Sequence, residues 1–468
     1  MRQVSRVDLV TEESFPLNYR PDDTDYDQLV FALKYDGVDL PALARIFTVV
    51  DRQELADRIR RQPTSKYARR IWFFFERLTG DRLDLPDSSN VGYVGVLDHK
   101  TYYTATGERL PRYRLDDNLL GEIGGFCPMV RRTSTLTTLA GRQLEQRARD
   151  IVQDIDPSLL TRAISFLYTK ETRSSFAIER EDPGDREERF NAQLAGVAGL
   201  KLDTEAGLTD LQHSIVDPRY RESGFRDAGD LEVYVGGANF YGREQIYHIG
   251  ARSETTRSMM RDWARMRRVE GPGAVVVEAA CKAFAFVFIH PFGDGNGRIH
   301  RLLLHHVLAR RDFLPAHLIV PISSVILNDR QRYDAVLEDF SRRVLPMIEY
   351  RLDRESGELT ILNNPDDFYR YPDLTAQSEA TFEWLERAIE HDLVHEIDFL
   401  RRYDEVIAEM RRVVEMPDRK EQLFIKLCLG NRGRLAKSKR RLFAELSDAE
   451  VARLEEVFQR VFEDFKAP

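Results

Sequence analysis

The sequence predicts a mainly α-helical protein: a helical bundle carrying one β-hairpin, preceded by a mixed α/β region and followed by a helical extension. Three observations carry that prediction. From about 136 to 350 most stretches place apolar residues at helical spacing. One interruption, "FRDAGDLEVYVGGANF", alternates as a strand does. Beyond about 350 a long amphipathic helical run resumes. At 468 residues the chain exceeds what one core usually organises, so separate units are expected over 1–135, 136–350 and 351–468.

In the first region, "SKYARRIWFFFERLTG" repeats Tyr67, Ile71, Phe74 and Phe75 at helix spacing, and Gly80 is a fitting C-cap. The next stretch, "NVGYVGVLDHKTYYTATG", is rich in β-branched and aromatic residues and reads as a small hairpin turning at "LDHK". In the middle region, Val233 and Val235 alternate with Tyr234, and Gly236-Gly237 offers a turn, so a hairpin is expected near 225–240. Tyr247 and His248 after it either line a groove or end an exposed strand. "EGPGAVVVEAACKAFAFVFIH" starts after Pro272 and is apolar almost all round, apart from Glu278 and Lys282, which marks a buried helix ending at His290. In the last region "SDAEVARLEEVF" opens with a capping-box pattern, Ser447 and Glu450.

Composition narrows the function classes. Asp and Glu number 78 against 69 Lys and Arg, a net charge of −9, so a general electrostatic grip on nucleic acid or anionic lipid is not favoured. The basic "NRGRLAKSKRR" reads as a solvated face at a helix junction, with an acidic partner or nucleic acid as its alternative. Cys127, Cys281 and Cys428 lie far apart and read as buried thiols of a reducing compartment. The N-terminus has no apolar signal core and no stretch reaches membrane-spanning length, so a cytoplasmic protein is expected.

The chemistry concentrates at residues 290–301, "HPFGDGNGRIHR". Pro291 removes a backbone donor and forces the chain out of the buried helix, and Phe292 anchors the resulting loop. Gly293, Gly295 and Gly297 permit positive φ and leave no side chain between backbone and ligand, so N–H groups can converge on an anion. A second helix is expected to begin at Asn296 or Gly297, where unsatisfied amides and the helix dipole favour phosphate. On that helix Arg298, Arg301 and His305 share one face, with Ile299, Leu303, Leu304, Val307 and Leu308 opposite. Two guanidinium groups three residues apart suit a di- or triphosphate. Asp294, a carboxylate among phosphate donors, calls for a divalent cation, Mg²⁺. His290 is placed to act as general base, and the class of reaction is phosphoryl or nucleotidyl transfer. His300 and His306 read as structural; His305 touches either nucleotide or solvent.

This stretch resembles, at every defined position, the signature HPFx(D/E)GNGRxxR of the Fic family, whose members mostly transfer AMP from ATP to protein hydroxyls. The resemblance covers about 160–345, and the hairpin near 225–240 looks like the family's flap. It implies a Fic-type helical bundle with His290 as catalytic base and Asp294 as Mg²⁺ ligand. It further implies Gly295, Asn296 and Gly297 as an anion hole for the nucleotide phosphates, beside Gly293, and Arg298 and Arg301 as clamp. Glycine rather than lysine at 297 favours AMP transfer over phosphate transfer. Upstream, "ETRSSFAIERE" resembles the inhibitory helix (S/T)xxxE(G/N), here near 171–181 with Ser175 and Glu179; Arg180 stands where the pattern has Gly or Asn. That places the chain among members whose inhibitory segment precedes the motif. The implied partners are a protein substrate, the chain itself through auto-AMPylation, and a second copy in a homodimer. UTP or CDP-choline as donor, removal of AMP, and a nucleotide-sensing module linked to transcription are the alternatives.

Overall fold

A computed structural model of the protein describes residues 3–7, 10–238, 244–353, 355–463 and 465. The architecture is mainly helical, with small antiparallel and mixed strand pairs. The chain divides into two compact units, each assembled from several segments. The first comprises Met1–Gln143, Glu188–Phe313 and Asp329–Glu383; the second comprises Leu144–Glu187, Leu314–Asn328 and Trp384–Pro468.

This differs from the expected division near 135 and 350, and the reason lies in backbone pairing that composition does not reveal. Thr104 bridges Glu270, the Arg267 amide donates to Leu120 O at 2.7 Å, and the Cys127 amide donates to Arg370 O at 2.8 Å. The N-terminal region is therefore built into the first unit rather than standing apart. The expected C-terminal domain is likewise split, since 329–383 belongs to the first unit.

Within the first unit, the helix Lys66–Thr79 forms as expected, with Ser65 as N-cap and Gly80 at φ +77° closing its end by donating its amide N–H to Glu76 O. Ile71, Trp72, Phe74 and Phe75 are buried in one core with Leu29, Leu33, Leu55 and Ile59. The hairpin expected across "LDHK" does not form. A turn is present, because the Thr101 and Tyr102 amides both reach Asp98 O, but its two arms take different partners. Val94–Gly95 runs parallel to Leu115–Asp117, and Tyr102 bridges Arg131. Alternation marks extended chain, whereas the partner is chosen by the tertiary fold.

The helices Ala274–Ile289 and Asn296–Arg310 pack along each other on either side of the motif loop. The polar exceptions in the first are satisfied: Glu278 pairs with Arg311, and the Lys282 ammonium donates to the Trp263 and Ala264 carbonyls at a helix end. The second helix departs from the expected two-faced pattern. Arg298, Arg301 and His305 are as buried as Ile299, Leu303 and Leu304, so no solvent-facing stripe exists and the solvent option for His305 is excluded. His300 packs edge-on against Phe284, and His306 is held by Val197 O at 2.7 Å, both structural as expected.

The flap-like hairpin pairs Tyr234–Ala238 with Glu244–Ile249, later in the chain than the expected 225–240. Gly236 faces Ile246 and Gly237 faces Gln245, so this pair lies within a strand and makes no turn. Residues 239–243, which connect the strands, lie outside the described residues.

In the second unit the helix Pro157–Ile178 starts on Asp156, whose carboxylate accepts the Ser158 and Leu159 amides. It packs against Ile322–Asn328 and Val394–Val413. Buried Glu171 accepts the Ser323 amide at 2.8 Å, and Lys170 sits between Asp392 and Glu396. The Ser447–Glu450 capping box forms as expected. Cys127, Cys281 and Cys428 are buried free thiols. No helix among the described residues is long and apolar enough to cross a membrane.

Candidate active site

The apolar helix Ala274–Ile289 delivers His290 to the loop. Pro291 closes the right-handed helical region to the residue before it, and His290 takes φ +58°, ψ +61°. That reversal turns its imidazole back over the helix end, with Nδ1 3.1 Å from Val287 O. A ring nitrogen meets a carbonyl oxygen only as an N–H donor, so the neutral ring keeps its lone pair on Nε2, the form a general base requires.

Two residues hold this arrangement: Arg226, which the sequence reading missed, and His248, to which it gave another role. Arg226 is buried and its guanidinium fans across three carbonyls: Nε donates to His290 O at 3.0 Å, and Nη2 to Ala251 O at 2.8 Å and Ile289 O at 3.3 Å. Its own amide donates to Pro291 O at 2.9 Å. His248 lies on the hairpin's second strand, with Nε2 2.9 Å from Phe288 O, Nδ1 3.0 Å from Ser341 Oγ, and its ring 6.1 Å from that of His290. Burial, reinforced by the neighbouring His290, pushes the His248 pKa down to about 3, so it stays neutral. It therefore ties the strand down, as neither a groove lining nor a free strand end. No local pattern in "GFRDAG" marks Arg226, because the carbonyls its guanidinium holds lie 25 to 64 residues away.

The loop is closed by Asn296, whose Oδ1 accepts the Phe292 amide at 3.1 Å while Nδ2 donates to Phe292 O at 2.7 Å. Phe292 is fully buried against Phe225 and Phe286, as expected. Of the three motif glycines only Gly295 adopts a left-handed φ, +93°. A Cβ there would also come within 3.0 Å of Val216. The expectation of positive φ at Gly293 and Gly297 does not hold: Gly297 is already inside the helix that begins at Asn296, and helical backbone has negative φ.

The amides nevertheless converge. Gly293 N–H donates to Glu222 Oε1 at 2.8 Å, and Asp294 N–H points to the same oxygen at a longer 3.4 Å. Asp294 turns one oxygen inward, accepting the Gly295 amide at 2.6 Å and Arg298 Nη2 at 2.9 Å, with its side chain 44% exposed. Arg298 also donates to Ile215 O at 3.0 Å, and Arg301 lies 3.5 Å from the Tyr333 hydroxyl; both arginines are 1% exposed. The structure thus gathers His290, Gly293, Asp294, Gly295, Asn296, Gly297, Arg298 and Arg301 at one loop-to-helix junction of the first unit.

Ser175 and Glu179 belong to the second unit. Ser175 is fully buried within Pro157–Ile178, a longer helix than the expected 171–181, and Glu179 is its exposed C-cap. Arg180 follows at φ +60°. The Glu181 amide reaches back to Phe176 O and the Arg180 amide to Ala177 O, a helix end that ordinarily uses glycine or asparagine at this position.

No curated protein matches the chain. Among solved structures, the chain is similar to a Fic family protein from Desulfovibrio desulfuricans, with 17% identity and a TM-score of 0.39 over 71% of this chain and 90% of that one. It is also similar to a Fic domain containing signaling protein from Bacteroides thetaiotaomicron, with 18% identity and a TM-score of 0.38 over 56% of this chain and 97% of that one. Residues 203–308, which hold the hairpin, both packed helices and the loop between them, match the model of the Fic/DOC family, so the chain carries a Fic/DOC family domain.

Proposed function

We propose that this protein transfers AMP from ATP to a hydroxyl side chain of a target protein, itself included, and that Glu179 restrains the reaction. The family match points to nucleotidyl transfer in general. One observation carries the finer reading: two loop amides converge on a single anionic oxygen beside a histidine whose Nδ1 is committed to a carbonyl.

In this scheme His290 Nε2 takes the proton of the incoming hydroxyl, the hydroxyl oxygen bonds to the α-phosphorus, and the bond from that phosphorus to the bridging oxygen breaks. Pyrophosphate leaves and AMP stays on the target oxygen. Gly293, Asp294 and the first amides of the Asn296–Arg310 helix receive phosphate charge, with Arg298 and Arg301 at the helix base. Among the described residues no group of three or more His, Cys, Asp or Glu side chains forms a metal cage. That fits Mg²⁺, which takes most of its shell from water and phosphate and needs one carboxylate, here Asp294. When bound, the cation would neutralise phosphate charge.

Glu179 enters through its place in the Ser175–Glu179 pattern at the end of a long helix and through its exposure. Incubating full-length protein with α-labelled ATP and Mg²⁺ tests both parts. Glu179→Gly should raise self-labelling, and His290→Ala should abolish it. Undiminished labelling in His290→Ala would refute the chemistry; unchanged labelling in Glu179→Gly would refute the restraint alone. Labelled UTP run alongside decides the donor.

A further inference from the structure

Glu222 takes no part in the chemistry above, yet its carboxylate occupies the cradle that chemistry needs. Oε1 accepts Gly293 N–H at 2.8 Å and is 3.4 Å from Asp294 N, the amides assigned to phosphate. Its main chain is pinned from the helix Glu205–Ile215. Buried Gln212 accepts the Glu222 amide at 3.3 Å through Oε1, and His213 Nε2 donates to Glu222 O at 2.6 Å. Gln212 Nε2 also donates to Tyr220 O at 3.1 Å and lies 3.4 Å from Glu222 Oε1. The backbone is therefore held, and the carboxylate arm is the part free to rotate about its own χ angles.

The arm is kept there at a cost. Burial pushes the Glu222 carboxyl above its ordinary range, and the charge of Asp294 adds to this, while the Gly293 and Asp294 amides and Arg226 act in the opposite direction. An anion that recovers its desolvation cost from loop amides behaves as a phosphate would at the same place. Two anions cannot share those donors, because each amide N–H serves one acceptor at this distance and the charges repel.

We propose that Glu222 is a built-in plug of the anion cradle, whose carboxylate must swing off the Gly293 and Asp294 amides before a nucleotide phosphate can bind there. The inference rests on the nucleotide reading of the same loop. The plug lies within the first unit, on the segment leading to the hairpin, whereas Glu179 belongs to the second. It lowers the apparent affinity for nucleotide by the fraction of molecules in which the arm is displaced.

Titration calorimetry of the full-length protein with ADP and Mg²⁺ provides the test, comparing wild type, Glu222→Ala and Glu222→Gln. Glu222→Ala should bind ADP about tenfold or more tightly. Glu222→Gln keeps an acceptor without its charge and should fall between. If Glu222→Ala does not fold, the Glu222→Gln protein decides, and tighter binding than wild type is required. Equal, measurable affinities in wild type and variants would overturn the plug alone, and weaker binding in Glu222→Ala would make Glu222 a brace of the loop instead. Folded proteins that all fail to bind ADP would remove the nucleotide reading and the plug together.

Discussion

Arg226 illustrates how a single buried side chain sets the geometry of chemistry it does not perform. Its guanidinium bonds the carbonyls of Ala251, Ile289 and His290 at once, which fixes the helix end, the loop start and the strand exit relative to one another. Lysine has the charge but no planar fork, so it can satisfy fewer of these acceptors and leaves the rest buried and unpaired. Arg226→Lys should therefore lower kcat for labelling by about 10- to 100-fold with little change in KM for ATP, since a displaced base slows the chemical step. Steady-state labelling rates across ATP concentrations check this; a rise in KM with kcat intact would mean that Arg226 acts through nucleotide binding. His290 stood out in the sequence because the proline, glycines and arginines of its motif follow it directly. Arg226 and Glu222 were not, because each meets the loop from more than sixty residues away.

At the level of elements, helix ends were the most readable feature. Gly80, the Ser447–Glu450 box and the start of the motif helix at Asn296 all form where local chemistry places them, since capping is settled within four residues. The end of Pro157–Ile178 is the exception that carries strain. Arg180 holds φ +60° where a glycine would rest without a Cβ clash, at a cost of about 1 kcal/mol. Arg180→Gly should raise unfolding stability by roughly that amount, read as a shift in urea midpoint at constant slope. A neutral or destabilising result would mean that the arginine side chain repays the strain through contacts. Strand partners were the least readable. The "LDHK" segment turned as expected but found Leu115–Asp117 and Arg131, and the flap-like hairpin placed Gly236-Gly237 inside a strand.

At the scale of the whole molecule, residues 1–143 share a compact unit with the family-matched domain. Removing residues 1–135 would strip Thr104 from Glu270, Leu120 O from Arg267, and the Cys127 and Met129 amides from Arg370 and Pro372. Each lost backbone partner costs up to about 1–3 kcal/mol, together comparable to the stability of an ordinary domain. The shortened chain should lose its near-ultraviolet dichroism and unfold without cooperativity; a sharp melt close to that of the full chain would show that the N-terminal region is dispensable. The second unit keeps its own core of Val406, Met410, Phe424, Cys428, Leu454 and Phe458. By itself the sequence determined the helical class, the helix ends and the position of the glycine-rich loop between two helices, because hydrophobic period, capping and glycine chemistry act over a few adjacent residues. Only the tertiary structure decided which segments share a unit, which strands pair, what orients His290 and which carboxylate lies in the cradle, because those outcomes depend on groups distant in the chain meeting in a fold no local pattern encodes.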